Sequence, residues 1–148
     1  MSPFRFLSAT AGALLGAATA CAQLPETTLV AGNQHITVEI ARSLHERETG
    51  LMHRHTLPSD HGMLFVFPSI SYIGMWMVDT YIPLSVAFID AQGNVINIEN
   101  MEPLTRDVHY AARPAKYALE MNRGWFSRHG IQPGTRIGGV TAIAPLLH

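Results

Sequence analysis

Hydrophobic and polar positions alternate along most of this chain with the two-residue period of β-strands. In residues 34–40, Ile36, Val38 and Ile40 fall on one side and His35, Thr37 and Glu39 on the other. That pattern predicts a half-buried strand with one wet face. Residues 28–31 precede it across Gly32-Asn33, a two-residue break that predicts a hairpin. Residues 62–90 are mostly apolar or aromatic, hold three of the seven methionines, and are interrupted by Pro68, Gly74 and Pro83. No helix survives that punctuation, so the stretch predicts three short strands running through a core. Its first part, 62–67, is apolar on both faces, as in a strand covered on both sides. In 82–90, Ile82, Leu84, Val86 and Phe88 share a face, and the mostly small opposite face predicts close packing. Residues 90–94 have turn chemistry and 95–98 return as a hairpin partner. Residues 100–114 lack a clean period and predict a long loop. Tyr117, Leu119 and Met121 alternate with Ala118 and Glu120 in a further strand. Residues 124–130 predict one helical turn, Pro133-Gly134 a tight turn, and 135–143 a last strand.

One helix stands out, near residues 43–50. Ser43 and Glu46 have the spacing of a capping box, and Gly50 supplies a left-handed stop. A helix this short depends on tertiary contacts, expected through Leu44, Leu51 and Met52. A polar loop follows over 53–61. The sum is a mainly β fold of about seven or eight short strands and one short helix, without a βαβ rhythm. A small antiparallel barrel or sandwich is the expected closure, because it hides strand edges.

Composition narrows the classes. The chain has 148 residues, 47% hydrophobic and 14% charged, so it is long enough for one packed domain and too apolar for general disorder. The formal net charge is -1 with no long run of either sign, so no nucleic-acid partner is expected. Residues 1–22 differ from the rest: Arg5 is their only charge, an apolar Ala/Leu/Gly run follows, and small residues close it at Ala18-Thr19-Ala20-Cys21-Ala22. That is the build of a secretory signal, too short for a membrane span. We therefore expect export to the periplasm, with 23–34 as linker and first strand and 35–148 as a single β domain. Cys21, the only cysteine, also fits a lipoprotein cleavage box, which would lipidate it and anchor the chain to the membrane facing the periplasm. The cleavage-box match is imperfect, with Ala18 at the usual Leu position, and cleavage after Ala20 or Ala22 reads as well. No intramolecular disulfide can form, so stability must come from packing.

Arg47-x-x-Gly50-Leu51-Met52-x-Arg54, Gly62-Met-Leu-Phe-x-Phe67, Met75-Trp-Met-x-Asp-Thr-x-Ile-Pro-Leu84 and Phe88-Ile-Asp90 together resemble the family catalogued as domain of unknown function 192. Leu119-Glu120, Gly124 and Gly130-Ile131-x-x-Gly134 fit the same pattern, and the resemblance runs from about Ile36 to about Val140. It implies a compact, mostly β domain, often exported, with no agreed activity. Ser85 and Thr135 stand where many relatives carry Asp, so chemistry needing carboxylates there does not transfer to this chain.

Three groups of residues could carry chemistry. His53, His55 and His61 lie within nine residues, beside Met52 and Met63; imidazole and thioether suit copper, or zinc for the histidines alone. The bland alternative is a solvated loop with incidental histidines. The methionines around Met75-Trp76-Met77 fill a core or line an apolar pocket, with Trp76 the natural pocket wall. Arg54, Asp79, Glu120 and Arg123 are charges in or beside apolar segments, and each needs a partner or water. Either Arg54 pairs with Asp79 or Glu120 as a structural lock, or these residues rim a cleft with Met75 and Trp76 in which Arg54 holds an anionic group and Asp79 or Glu120 exchanges a proton. The body of the domain has no cysteine nucleophile, no Gly-x-Ser-x-Gly elbow, no phosphate loop and no Cys-x-x-Cys pair. The expectation is a non-catalytic binding or accessory module of the cell envelope, without cofactor, whose partner is an envelope component or small ligand. The alternatives are copper or zinc binding, and a glycan or peptide hydrolase or lyase using Asp79 or Glu120.

Overall fold

The computed structural model describes residues 23–146; residues 1–22, read from the sequence as a secretory signal with Cys21 at its end, lie outside them. Nine strands and two short α-helices follow in order: β1 (Glu26–Ala31), β2 (Gln34–Ala41), α1 (Leu44–Thr49), β3 (His61–Ser71), β4 (Gly74–Met75), β5 (Leu84–Ile89), β6 (Val95–Met101), β7 (His109–Tyr110), β8 (Ala115–Asn122), α2 (Trp125–Arg128) and β9 (Ile137–Gly138). Seven strands form one curled sheet in the order β6-β5-β8-β3-β2-β1-β9, and β4 and β7 make a separate ribbon. The sheet nearly closes on itself. β9 pairs with β1, while Val95 N–H donates to the Thr135 carbonyl at 2.9 Å and Ile137 N–H to the Gly93 carbonyl at 2.8 Å. Both end strands of the sheet are thereby bridged, which is the solution to exposed edges that the sequence called for.

The class is the expected one, mainly β and barrel-like, with one pair that local patterning does not reveal. β2 and β3 run parallel, in register Val38↔Gly62 and Ile40↔Leu64. A parallel pair cannot be joined by a hairpin; it needs a crossover of a dozen or more residues, and residues 42–60, with α1 inside them, supply it.

Strand alternation sorts the apolar side chains into two cores. Leu64, Val66, Leu119 and Met121 point to the inner face of the curl, where Trp125 and Phe126 of α2 join them. Met63, Phe65, Leu84, Val86, Phe88 and Ala118 point outward and are covered by Leu51, Ile73, Met75, Met77 and Ile82. The Met-Trp-Met segment therefore packs inward against the outer face of the sheet. Met77 is fully buried, but Trp76 between its neighbours is 49% exposed.

Four local expectations change. Leu44 does not anchor α1: it is 59% exposed, no residue of the helix is buried, and Leu51 just beyond it makes the contact. The strand expected over 135–143 is reduced to β9, because Gly139 turns to φ 90° and a 3-10 turn, Val140–Ala142, follows. The loop expected over 100–114 contains the end of β6 and the short β7. β1 begins at Glu26, two residues before the strand expected over 28–31.

Candidate functional site

β8 is an interior strand of the sheet, flanked by β3 and β5. Glu120 on it sits opposite Met63 on one side and Val86 on the other, all on the outer face. A carboxylate in that company is unusual. Glu120 is 3% exposed and accepts no hydrogen bond or ion pair from another described residue. Burial alone pushes its carboxyl up to about 8. Among the described residues no side-chain oxygen or nitrogen sealed from solvent lacks a partner. The Glu120 carboxyl therefore reaches the surface of a cavity rather than lying in a dry core.

That cavity is a cleft of about 190 Å³ between α1 and the segment after β4. Its lining includes Arg47, Gly50, Met52, Phe65, Phe67, Met75, Trp76 and Thr80, with Glu120 among them. The upper wall is placed by local chemistry. Ser43 Oγ accepts from Glu46 N–H at 3.2 Å, and Glu46 Oε2 accepts from Ser43 N–H at 2.8 Å, closing the capping box. Backbone amides of Ser43 and Arg42 hold the Glu46 carboxyl below its ordinary range. At the other end Gly50 adopts φ 46°, and a Cβ there would press on the Phe65 ring at 3.2 Å. Glycine thus both ends the helix and lets it settle onto the cleft floor.

Arg47 is the one cation of the lining, and it is already engaged. Its Nη1 donates to the Arg42 and Val66 carbonyls, and its guanidinium lies 5.2 Å from the centre of the Phe67 ring. Glu48 stands exposed at the rim. Outside the lining, the chain after Met52 is tied to the chain before Thr80 by His53 N–H donating to the Asp79 carbonyl at 2.8 Å, both residues having positive φ, 63° and 51°.

A family model described as DUF192, Uncharacterized ACR, matches residues 27–139. The chain belongs to that family. Two solved structures resemble this DUF192 domain. One, from Sinorhizobium meliloti 1021 and provisionally described as a transcription regulator, is 37% identical, with a TM-score of 0.72 over 77% of this chain and 92% of its own. The other, a protein of unknown function from Novosphingobium aromaticivorans DSM 12444, is 30% identical, with a TM-score of 0.73 over 85% of this chain and 99% of its own. No curated protein matches.

Of the residues singled out in the sequence as candidates for chemistry, Met52, Met75, Trp76 and Glu120 line this one cleft. Arg54 does not. It forms a two-pronged pair with Glu39 on the wet face of β2, at 2.5 and 2.7 Å, rather than pairing with Asp79 or Glu120. That pair lies in a broader hollow of about 810 Å³, where Glu39, Arg54 and Glu46 already have partners. Asp79 is exposed and outside the lining of the cleft, and its backbone carbonyl accepts from His53 N–H. Arg123 is exposed and paired with Glu102 at 2.5 Å. His53 and His55 flank Tyr81, His55 stacking on it at 5.2 Å, while His61 opens β3. Among the described residues no three His, Cys, Asp or Glu side chains converge to hold a metal ion. Ser85 has a structural role: its Oγ donates to Asn100 Oδ1 at 2.6 Å and accepts from Gly124 N–H at 2.9 Å. Arg47, Phe65 and Phe67 are site residues that sequence reasoning did not single out for chemistry. They lay within the family motifs, and that was the available signal.

Proposed function

We propose that this DUF192 protein is an exported, non-catalytic binding module of the cell envelope that takes a small ligand in the cleft between α1 and Trp76. One observation carries the reading: a buried carboxyl in an apolar cleft, open to solvent and without a protein partner. A structural carboxylate would be expected to find an arginine or a set of amides, as Glu39 and Glu46 do here. A group left unpaired at such cost is a site waiting for its complement. The leader-like composition of residues 1–22 supports the envelope location. The volume of about 190 Å³ is below the usual range for drug-sized ligands, so a small molecule or a single chemical group is the fitting occupant.

The hydrolase or lyase alternative finds in Glu120 a carboxyl of suitable protonation for a general acid. It lacks a second carboxylate at the floor, since Asp79 is not in the lining.

A small-molecule fragment screen by NMR on the protein purified after expression of the full chain tests the reading. Binders should shift the Trp76 indole and the Gly50 and Leu51 amides while leaving the Trp125 indole unmoved. A screen in which no fragment moves those three, or in which binders cluster elsewhere, would refute it.

A further inference from the structure

Granting that the cleft is a ligand site, its chemistry selects the ligand. The lining carries three ionisable side chains, Arg47 and Glu48 from α1 and Glu120 from β8. Arg47 is committed to two backbone carbonyls and the Phe67 ring, so its donors are engaged within the protein although no carboxylate pairs with it. Glu48 at the rim and Glu120 at the floor are both acidic, and neither has a hydrogen bond or ion pair among the described side chains. Trp76 is half open at the mouth, and an indole face attracts cations more strongly than any other side-chain ring. Phe67 and Met75 add apolar wall. A buried acid in such a place gains most from a ligand that brings the missing positive charge, because an opposite charge within a few ångströms stabilises its ionised form.

We infer that the cleft takes a primary ammonium group on a short apolar stem, the nitrogen against the Glu120 carboxylate and the stem against Trp76 and Phe67. A compact ammonium has three donors and fits a small cavity floor better than a guanidinium fork does. The group can arrive on a free small amine or on a lysine side chain of another polypeptide. In either case binding must ionise Glu120, which burial holds protonated up to about pH 8. One proton is therefore released to the buffer, and affinity rises about tenfold per pH unit below 8 before levelling off.

Calorimetry on the protein purified after expression of the full chain tests this with phenethylamine, its neutral analogue 2-phenylethanol, its anionic analogue phenylacetate, and Nα-acetyl-lysinamide. The amines are expected to bind, with heats that vary with the buffer's ionisation enthalpy and Kd falling from pH 6 to 8. The uncharged and anionic analogues should bind at least about tenfold more weakly. Glu120→Gln should remove the preference for the amines. Phenethylamine binding more tightly than the lysine derivative points to a free amine as the source, and the reverse to a lysine side chain. Equal binding of 2-phenylethanol, or tighter binding of phenylacetate, overturns the ammonium assignment while leaving the cleft a ligand site. If none of the four binds but the fragment screen finds cleft binders, the ammonium assignment fails alone. If neither experiment finds a binder, the binding function fails with it. The comparison of amine with alcohol is made on the unmutated protein, so it stands even if the variant folds poorly.

Discussion

Replacing Glu120 with glutamine keeps the shape of the side chain and removes its titration, and the consequence can be worked out from its surroundings. Burial raises the carboxyl from 4.5 to about 8 in the folded protein. Below pH 4.5 both the folded and unfolded chains hold the proton, and the acid costs nothing. Between 4.5 and 8 the unfolded chain has released the proton that the folded chain keeps, so stability falls as pH rises. The slope is about 1.4 kcal/mol per pH unit. The native protein should therefore lose about 3 kcal/mol through this group between pH 4.5 and 7, and about 5 kcal/mol by the time pH passes 8. Glutamine has no such dependence. Urea unfolding followed by fluorescence, for both proteins at pH 4.5, 6, 7 and 8.5, isolates the effect. Glu46 and Glu102, whose carboxyls are held low by backbone amides and by Arg123 respectively, are present in both and cancel in the difference. Any packing cost of the amide is a constant offset. The variant should gain on the native protein by about 3 kcal/mol from pH 4.5 to 7. A difference flat with pH would mean that Glu120 is solvated or paired, and the reasoning about the cleft would fall.

Other substitutions test the frame around the site. Ser43→Ala opens the capping box that fixes α1 above the cleft and should cost about 1 kcal/mol in urea denaturation. Gly62→Ala would drive a Cβ into the Glu120 carbonyl oxygen and the Met121 sulfur, so a loss of about 1–3 kcal/mol is expected, read as a lower Tm. The two tryptophans should separate cleanly. Trp125→Ala, in the inner core and bonded to Asp60, should cost about 3–5 kcal/mol, whereas Trp76→Ala should cost under about 1 kcal/mol while weakening any cleft ligand. Comparable losses at both would contradict the exposed position of Trp76.

What the sequence made legible was local. The capping box at Ser43 and Glu46 and the stop at Gly50 depend on neighbours three to seven residues apart; the box forms as expected, and Gly50 ends the helix with the positive φ expected but with ψ -130° rather than a left-handed helical value. The shared face of Ile82, Leu84, Val86 and Phe88 follows from the strand period, and all four enter the outer core. The inward packing of Met75 and Met77 was likewise visible in their apolar surroundings. Non-local pairings were not. Nothing in residues 34–41 announces that β2 lies parallel to β3, because that register is fixed by the crossover and not by either strand's own pattern. Arg54 finds Glu39 fifteen residues earlier, and the expectation of Asp79 or Glu120 failed because it weighed charge type without the wet face of β2. The ribbon of β4 and β7 has two residues per strand, too few to show a period. Glu120 was recognisable as a charge in an apolar strand; that it would have no partner required knowing what packs over both sides of β8.

The central claim, that Glu120 is an unpaired carboxyl buried at the floor of an open cleft, is tested most directly by following its own side-chain carboxyl carbon by NMR across pH 3 to 10. The account predicts a midpoint near 8 in the free protein, falling when an amine occupies the cleft. A midpoint near the ordinary 4.5 would contradict it, and would mean that water or an unrecognised partner already satisfies the group.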